Sequence, residues 1–180
     1  MREPEFLTRA RDGDRDAMGQ IYRSSVAYLT AVCSRYLGDR DEVKDILQES
    51  YVKIFTSLDS FEYRGEGSLR AWMSRVVVNN CLQAIRKNKN FRLDFSDNLP
   101  EIPEEDDAMF DTVPVPVIQK MIRELPDGYR TVFNLFVFEE MPHKEIARLL
   151  GIKENSSASQ LLRARALLAK QIKEYKKKHN

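Results

Sequence analysis

The chain has 180 residues, of which 42% are hydrophobic and 32% charged, and its 29 Lys and Arg nearly balance its 28 Asp and Glu. This composition indicates a soluble globular protein, and the length suits one large domain or two small ones. No segment approaches the roughly 18 uncharged apolar residues of a membrane helix, and the charged start Met1-Arg2-Glu3-Pro4-Glu5 is unlike a signal peptide, so we expect a cytoplasmic protein with no membrane insertion.

The first predicted element is a long amphipathic helix. Apolar residues recur at the helical period from Asp16 to Tyr36, and Gly38 favours a stop after them. This helix contains Cys33, which is distant in sequence from the other cysteine, Cys81, and no C-x-x-C pair occurs. We therefore predict neither a disulfide framework nor a thiolate metal site, and we assign both cysteines to the core.

A second helix is predicted from the apolar stripe between Val43 and Leu58. Its opposite face is charged, and Asp45, Gln48 and Glu49 stand there at positions i, i+3 and i+4, which are neighbours on a helix surface. The three side chains form one acidic and amide patch. A solvated face is the ordinary explanation of such a patch, so the residues alone assign it no partner.

A loop is predicted at residues 61–67, which contain two glycines and show no period. Ser68 is the predicted N-cap of the helix that follows. Phe61, Tyr63 and Arg64 offer two aromatic rings and a guanidinium plane, and an unpaired base can stack on such surfaces. The alternative for Phe61 is an anchor in the core.

A third helix is predicted from Ser68 to about Lys87. Four polar residues share one face of it, namely Arg75, Asn79, Gln83 and Arg86. Their spacing of three or four residues matches the helical period. We predict that this face grips a strand of DNA, with Asn80 beside it, and a merely solvated face is the alternative.

An acidic, proline-containing segment divides the chain. Residues 1–90 hold 15 Lys and Arg against 13 Asp and Glu, residues 91–115 hold 1 against 8, and residues 116–180 hold 13 against 7. The middle segment cannot bury enough apolar surface to order itself. We therefore predict an all-α protein of two small helical domains, at residues 1–92 and 116–180, joined by an acidic flexible linker at residues 93–115.

Four helices are predicted beyond this boundary, around residues 117–124, 128–138, 142–150 and 156–176. The last two form a predicted helix-turn-helix, in which Gly151 permits a left-handed turn and the small Ala147 lets two helices cross closely. The second helix of such a motif enters the major groove of DNA by its N-terminal end.

The N-terminal half of the last helix carries the predicted contacts to duplex DNA. Small polar side chains there can reach base edges, and arginines farther along can meet phosphates. The predicted set is Ser156, Ser157, Ala158, Ser159, Gln160, Arg163 and Arg165. The alternative is a helical hairpin whose arginines are only solvated.

The order of these elements resembles the sigma-70 superfamily of bacterial RNA polymerase specificity factors, in its compact extracytoplasmic-function type. The resemblance extends over nearly the whole chain and rests on motifs in both predicted domains. They are Tyr36-Leu37-Gly38-Asp39, Asp45-Ile46-Leu47-Gln48-Glu49, Ser68-Leu69-Arg70-Ala71-Trp72, Leu125-Pro126-Asp127-Gly128-Tyr129-Arg130, Glu145-Ile146-Ala147 and Arg163-Ala164-Arg165.

The resemblance implies a transcription initiation factor that binds core RNA polymerase and directs it to specific promoters. Asp45, Gln48 and Glu49, with Lys53, would bind the coiled coil of the polymerase β′ subunit. The loop and the third helix would recognise and melt the minus-10 element and capture a flipped base. The C-terminal domain would recognise the minus-35 element and contact the flap of the polymerase β subunit. The resemblance also implies an anti-sigma factor as a partner.

Three positions depart from the family pattern. The family usually has an apolar residue where Ser157 stands, often a basic one at Ala158, and commonly Asp at Gln83. The first departure predicts a recognition helix that starts slightly later or has a wetter base. The second removes a basic contact, so the main base and phosphate contacts are predicted at Ser159, Gln160 and Arg163.

An enzyme is not predicted, because the chain has no Walker loop, no H-E-x-x-H and no G-x-S-x-G motif, and its two histidines are His143 and His179. No cofactor, metal site or small-molecule substrate is expected. The remaining alternative is a polymerase-independent helix-turn-helix regulator. Such a regulator would bind its operator tightly as an isolated chain, whereas a sigma factor would bind DNA weakly until polymerase joins it.

Overall fold

The computed structural model describes residues 4–87 and 113–179, and every regular element within these ranges is helical. The helices are α1 Glu5–Arg11, α2 Arg15–Tyr36, α3 Arg40–Thr56, α4 Ser68–Lys87, α5 Val115–Arg123, α6 Asp127–Val137, α7 His143–Leu150 and α8 Glu154–His179. The all-α prediction is therefore confirmed for the described residues. The predicted linker lies outside them as far as residue 112. In the same described ranges, no helix has both the length and the apolar character to cross a membrane.

The described residues form two compact units, one before and one after this gap. In the N-terminal unit α2, α3 and α4 pack on one another, and α1 packs on α2. The core comes from the apolar stripes that predicted these helices. Its central side chains, each at most 8% exposed, are Ile21, Leu29, Val32, Ile46, Leu47, Ile54, Val77 and Leu82. Burial of each such side chain contributes about 1.5–3 kcal/mol relative to its exposure, so the stripes hold the three helices together.

Asp14 fixes the start of α2. Its carboxylate accepts hydrogen bonds from the backbone amides of Asp16 and Ala17 at 2.9 and 3.2 Å, which satisfies amides that a helix start leaves unpaired. Arg9 also donates to this carboxylate at 2.8 Å, and that hydrogen bond holds the pKa of Asp14 below its ordinary value. Asp39 caps α3 in the same way.

Helix α1 is an element that the sequence analysis did not identify. It spans seven residues, from Glu5 to Arg11, which is too short for a helical period to show. Leu7 and Ala10, at 1% and 0% exposure, are its buried residues. The helix therefore depends on packing against α2, since isolated helices of this length do not form in water.

The two cysteines meet in the core between α2 and α4. Cys33 and Cys81 are free thiols with no exposed surface, and their Sγ atoms lie 3.5 Å apart. The prediction that both are core residues is confirmed. The hydrogen bond with Cys33, together with burial, raises the pKa of the Cys81 thiol far above its ordinary value of 9.0.

We expect this thiol to make the folded chain less stable in alkali. Above pH 9.0 the Cys81 thiol ionises in the unfolded chain but stays protonated in the folded one. The folded state then binds one more proton than the unfolded state, so this group lowers the free energy of unfolding progressively as the pH rises further. Urea denaturation of the wild type and of Cys81→Ala between about pH 7 and pH 10 measures the difference in slope. Parallel curves for the two proteins would refute the expectation.

The C-terminal unit is organised around α8, which packs on α5, α6 and α7. Gly151, with a φ of 70°, ends α7 and turns the chain toward α8, a conformation that glycine adopts without strain. The structure corrects two predicted boundaries, because α5 begins at Val115 and α8 at Glu154, each two residues before the predicted start. Pro116 is compatible with the first turn of α5, where its missing N–H costs no hydrogen bond.

The turn between α5 and α6 is closed by Arg130. Its guanidinium donates to the carbonyls of Arg123 and Leu125 at 2.6 and 3.4 Å, and to the carboxylate of Asp127 at 2.6 Å. The Arg123 carbonyl belongs to the last turn of α5, where a helix leaves acceptors unpaired, and the Leu125 carbonyl lies two residues beyond the helix. The Leu-Pro-Asp-Gly-Tyr-Arg motif is therefore a structural signature of this turn.

Candidate nucleic-acid and partner interfaces

Helix α4 presents its predicted polar face to solvent. The exposed residues of this face are Arg75, Asn79, Gln83 and Arg86. The opposite side of α4 lies in the core, where Val77, Cys81 and Ile85 are buried. The face combines two guanidinium groups with two amides, a set that suits phosphate oxygens and base edges. Contact of this face with DNA stays a prediction.

The structure contradicts a DNA-stacking role for Phe61. Its side chain is 6% exposed, and its ring centroid lies 5.1 Å from that of Trp72 on α4. An aromatic pair buries a large apolar area, so Phe61 anchors the loop to the helix. Tyr63 is half-buried and Arg64 is exposed, with its guanidinium 2.8 Å from the carboxylate of Glu62. These two side chains are the accessible stacking candidates of the loop.

Ser68 closes the loop from its other end, and its predicted role as N-cap is wrong. Its hydroxyl donates to the Gly65 carbonyl at 2.6 Å and accepts from the Arg64 amide at 3.2 Å. The first carbonyl of the α4 ladder is that of Gly67, which accepts from the Ala71 amide at 2.9 Å. Gly67 therefore stands at the N-cap position, and its φ of 82° favours glycine there.

The structure also contradicts a DNA contact by Asn80, which is 3% exposed. Its Nδ2 donates to the Ser50 hydroxyl at 2.8 Å, and its Oδ1 accepts from Lys53 Nζ. The Ser50 hydroxyl in turn donates to the Ile46 carbonyl at 2.6 Å. Asn80 thus joins α4 to α3. Lys53 is exposed, but its ammonium group is directed to Asn80.

Helix α3 carries the predicted acidic and amide patch on its outer surface. Asp45, Gln48 and Glu49 are all exposed. Val52, one turn after Gln48, is 63% exposed and extends the same face with an apolar side chain. The sequence analysis omitted Val52. Its position outside the apolar stripe of Ile46, Leu47 and Ile54 could have indicated that it is exposed.

Ser157 lies inside the helix-turn-helix, so its predicted contact with DNA is wrong. The residue has no exposed surface, and its hydroxyl lies 3.0 Å from His143 Nδ1. The His143 ring also stacks on Phe136 of α6, with centroids 4.6 Å apart. A polar pair therefore joins α7 to α8 where the family usually has an apolar residue. The predicted later start of α8 is wrong, because α8 begins at Glu154, and the alternative of a wetter base stays a prediction.

Gln160 and Arg163 are the other two corrections on α8. They are 0% and 4% exposed, respectively, although the sequence analysis assigned them as main DNA contacts. Because α8 packs on both α6 and α7, its buried sector is wider than that of a helix with one neighbour. Polar residues at the margin of the apolar stripe are therefore enclosed.

The remaining predicted residues of α8 keep part of their surface. Ser156, Ala158, Ser159 and Arg165 are each half-buried. Asn155, which was outside the predicted contact set, is exposed in the first turn of α8. Its polar side chain at the start of a helix could have indicated from the sequence that it is a candidate DNA contact. The accessible N-terminal surface of α8 is therefore formed by Glu154, Asn155, Ser156, Ala158 and Ser159.

Comparisons with protein families place one known region in each unit. The family described as sigma-70 region 2 matches residues 21–91, and the family described as sigma-70 region 4 matches residues 117–168. The first match contains α3, α4 and the loop between them. The second contains the helix-turn-helix and the half of α8 that precedes Leu168.

Relatives of one kind align with most of the chain. The extracytoplasmic-function (ECF) sigma factor SigW of Bacillus subtilis is 28% identical over 93% of this chain and 95% of its own length. The ECF sigma-E factor of Haemophilus influenzae is 24% identical over 93% of each. Among solved structures, this chain is similar to the one described as CnrH in complex with the cytosolic domain of CnrY. The identity is 23% and the TM-score is 0.49, over 94% of this chain and 96% of that one. With both sigma-70 regions matched and ECF sigma factors as relatives, the chain belongs to the sigma-70 family, in its extracytoplasmic-function group, and is a promoter-directing RNA polymerase sigma factor.

Proposed function

We propose that residues 1–92 bind polymerase and open the minus-10 element, and that residues 116–180 recognise the minus-35 element. Residues 93–115 would be the linker. A sigma factor is a transcription initiation factor and not an enzyme, so its activity is to position polymerase on DNA. We place this activity in the cytoplasm, where RNA polymerase acts.

One observation carries the proposal. The N-terminal unit exposes two polar faces on two different helices, an acidic and amide face on α3 and a guanidinium and amide face on α4. DNA repels carboxylates and attracts guanidinium groups, so the two faces suit different partners. Because the faces lie on separate helices, a protein partner and DNA would not compete for the same residues.

The α3 face is the proposed contact with the coiled coil of the polymerase β′ subunit. Asp45 and Glu49 offer carboxylates that accept charge-assisted hydrogen bonds from basic side chains, and Gln48 can both donate and accept. Val52 adds exposed apolar area beside them. Lys53 is at the edge of this face, with its ammonium group held by Asn80.

The α4 face and the loop are the proposed minus-10 contacts. Arg75 and Arg86 would meet backbone phosphates, and Asn79 and Gln83 would meet base edges. Tyr63 and Arg64 of the loop would stack on a base that has left the duplex. Phe61 and Asn80 would support this surface from inside the unit without touching DNA.

The N-terminal end of α8 is the proposed minus-35 contact. Asn155, Ser156 and Ser159 are accessible there, and Arg165 would meet the DNA backbone. We also infer that the C-terminal unit contacts the polymerase β flap, and that an anti-sigma factor is a partner. Such a factor would restrain the chain by covering the α3 face or the DNA-binding faces.

Run-off transcription with bacterial core RNA polymerase and a library of promoter fragments tests the function. Transcripts are expected from a subset of fragments when the chain is added, and none of these when core enzyme is used alone. Tight, salt-sensitive binding of one DNA site by the isolated chain, with no binding to core enzyme and no transcripts, would instead establish a polymerase-independent regulator.

A further inference from the structure

Arg11, the last residue of α1, reaches across the N-terminal unit to the start of the loop. Its Nε donates to the Leu58 carbonyl at 3.1 Å, and its Nη2 donates to the Phe61 carbonyl at 2.5 Å. These partners are 47 and 50 residues away in sequence. The side chain therefore ties the N-terminal helix to the segment from which the proposed minus-10 loop begins.

The chemistry of this contact requires an arginine. The planar guanidinium directs several N–H donors in a fixed fork, so one side chain can hold two carbonyl groups at once. A lysine ammonium has a similar charge but no fixed fork. Because Arg11 is half-buried, these charge-assisted hydrogen bonds are also less screened by water than bonds on an open surface.

The contact is one of three that fix the loop. Below the loop, the Phe61 ring packs on Trp72, and at its far end the Ser68 hydroxyl binds Gly65 and Arg64. The Phe61 carbonyl held by Arg11 is two residues before Tyr63. The backbone is thus held at both ends of the loop, while the Tyr63 and Arg64 side chains remain accessible.

We propose that Arg11 is a positioning residue for promoter opening, which holds the loop in the conformation that receives the unpaired base. A loop that is ordered before the base arrives loses less conformational entropy when it closes around that base. Arg11 does not touch DNA in this scheme, and it acts through the backbone that carries Tyr63 and Arg64. The proposal rests on the minus-10 function proposed above for this loop.

Holoenzyme reconstituted from core RNA polymerase and the full chain provides the test. The probe is a fluorescent single-stranded oligonucleotide of the non-template strand that spans the minus-10 element of a promoter active in run-off transcription. Arg11→Ala is expected to weaken binding of this oligonucleotide about tenfold while the affinity for core polymerase stays within twofold of wild type. Arg11→Lys should give an intermediate loss, because it keeps the charge but not the fork. Arg15→Ala removes an exposed arginine at the start of α2 and should bind as wild type.

Two results would overturn the proposal. One is oligonucleotide binding by Arg11→Ala that equals wild type. The other is an equal loss of oligonucleotide and core binding together with a lower unfolding temperature, which would give Arg11 a general role in folding. The variant Tyr63→Ala/Arg64→Ala separates this inference from the function on which it rests. If that variant loses oligonucleotide binding and Arg11→Ala does not, the inference on Arg11 alone fails. If the loop variant keeps wild-type binding, the minus-10 function of the loop fails.

Discussion

Replacing Asp45, Gln48 and Glu49 together with alanine should lower the affinity of the chain for core RNA polymerase by at least about 100-fold. The three side chains are exposed on α3, so their loss should leave the thermal unfolding of the chain near that of wild type. Hydrogen bonds to charged groups contribute about 1.5–3 kcal/mol each. The loss of two such groups and one amide therefore exceeds the roughly 2.8 kcal/mol that corresponds to a 100-fold change.

Fluorescence anisotropy of the labelled chain, titrated with core polymerase, measures this affinity. A matched control is Glu5→Ala/Gln20→Ala/Asp59→Ala, which removes two carboxylates and one amide from exposed positions outside α3. The control keeps the same change in net charge, so it separates a specific face from general electrostatic attraction. Equal affinities of the two triple variants would place the polymerase contact on another surface.

The faces of α3 and α4 could be predicted from sequence because each belongs to a single helix. Within one helix, spacing alone determines which side chains are neighbours. Asp45, Gln48 and Glu49 are exposed as the spacing predicts, and the same holds for the polar face of α4. The functional roles of these faces came from the family resemblance, since a polar helix face is by itself only evidence of exposure.

The burial of individual polar residues could not be predicted, because it depends on how many other helices pack on the same element. Ser157 and Gln160 are fully buried since α8 contacts both α6 and α7. Asn80 is buried because Ser50 and Lys53 of α3 supply its hydrogen-bond partners. Polar groups are buried when such partners exist, and no pattern within one helix reveals partners on another.

Long-range contacts of backbone groups were also hidden from the sequence analysis. The hydrogen bonds of Arg11 link residues that are 47 and 50 positions apart. They depend on α1, which is too short to show a periodic pattern. The role of Phe61 was hidden for the same reason. An aromatic residue in a glycine-containing loop can either stack on a base or anchor the loop in the core, and the contact with the Trp72 ring shows that Phe61 is an anchor.

The adjacent asparagines of α4 should respond differently to alanine. Asn79→Ala is expected to lower the equilibrium constant for promoter opening about tenfold, which corresponds to the loss of one good hydrogen-bonded contact worth about 1.4 kcal/mol. It should leave stability unchanged because the residue is exposed. Asn80→Ala should instead lower the free energy of unfolding by about 1–3 kcal/mol, because it removes the donor to the buried Ser50 hydroxyl and the acceptor of the Lys53 ammonium group.

Urea denaturation of the chain and permanganate reactivity of unpaired thymines at the minus-10 element measure the two effects separately. The permanganate assay is made at a temperature where both variants are folded, so that a loss of stability does not reduce promoter opening. Under that condition Asn80→Ala should open promoters as the wild type does, and Asn79→Ala should not. If Asn80→Ala retained wild-type stability but failed to open promoters, Asn80 would have a role in DNA binding that its 3% exposure does not allow. The DNA-binding face proposed for α4 would then be wrong.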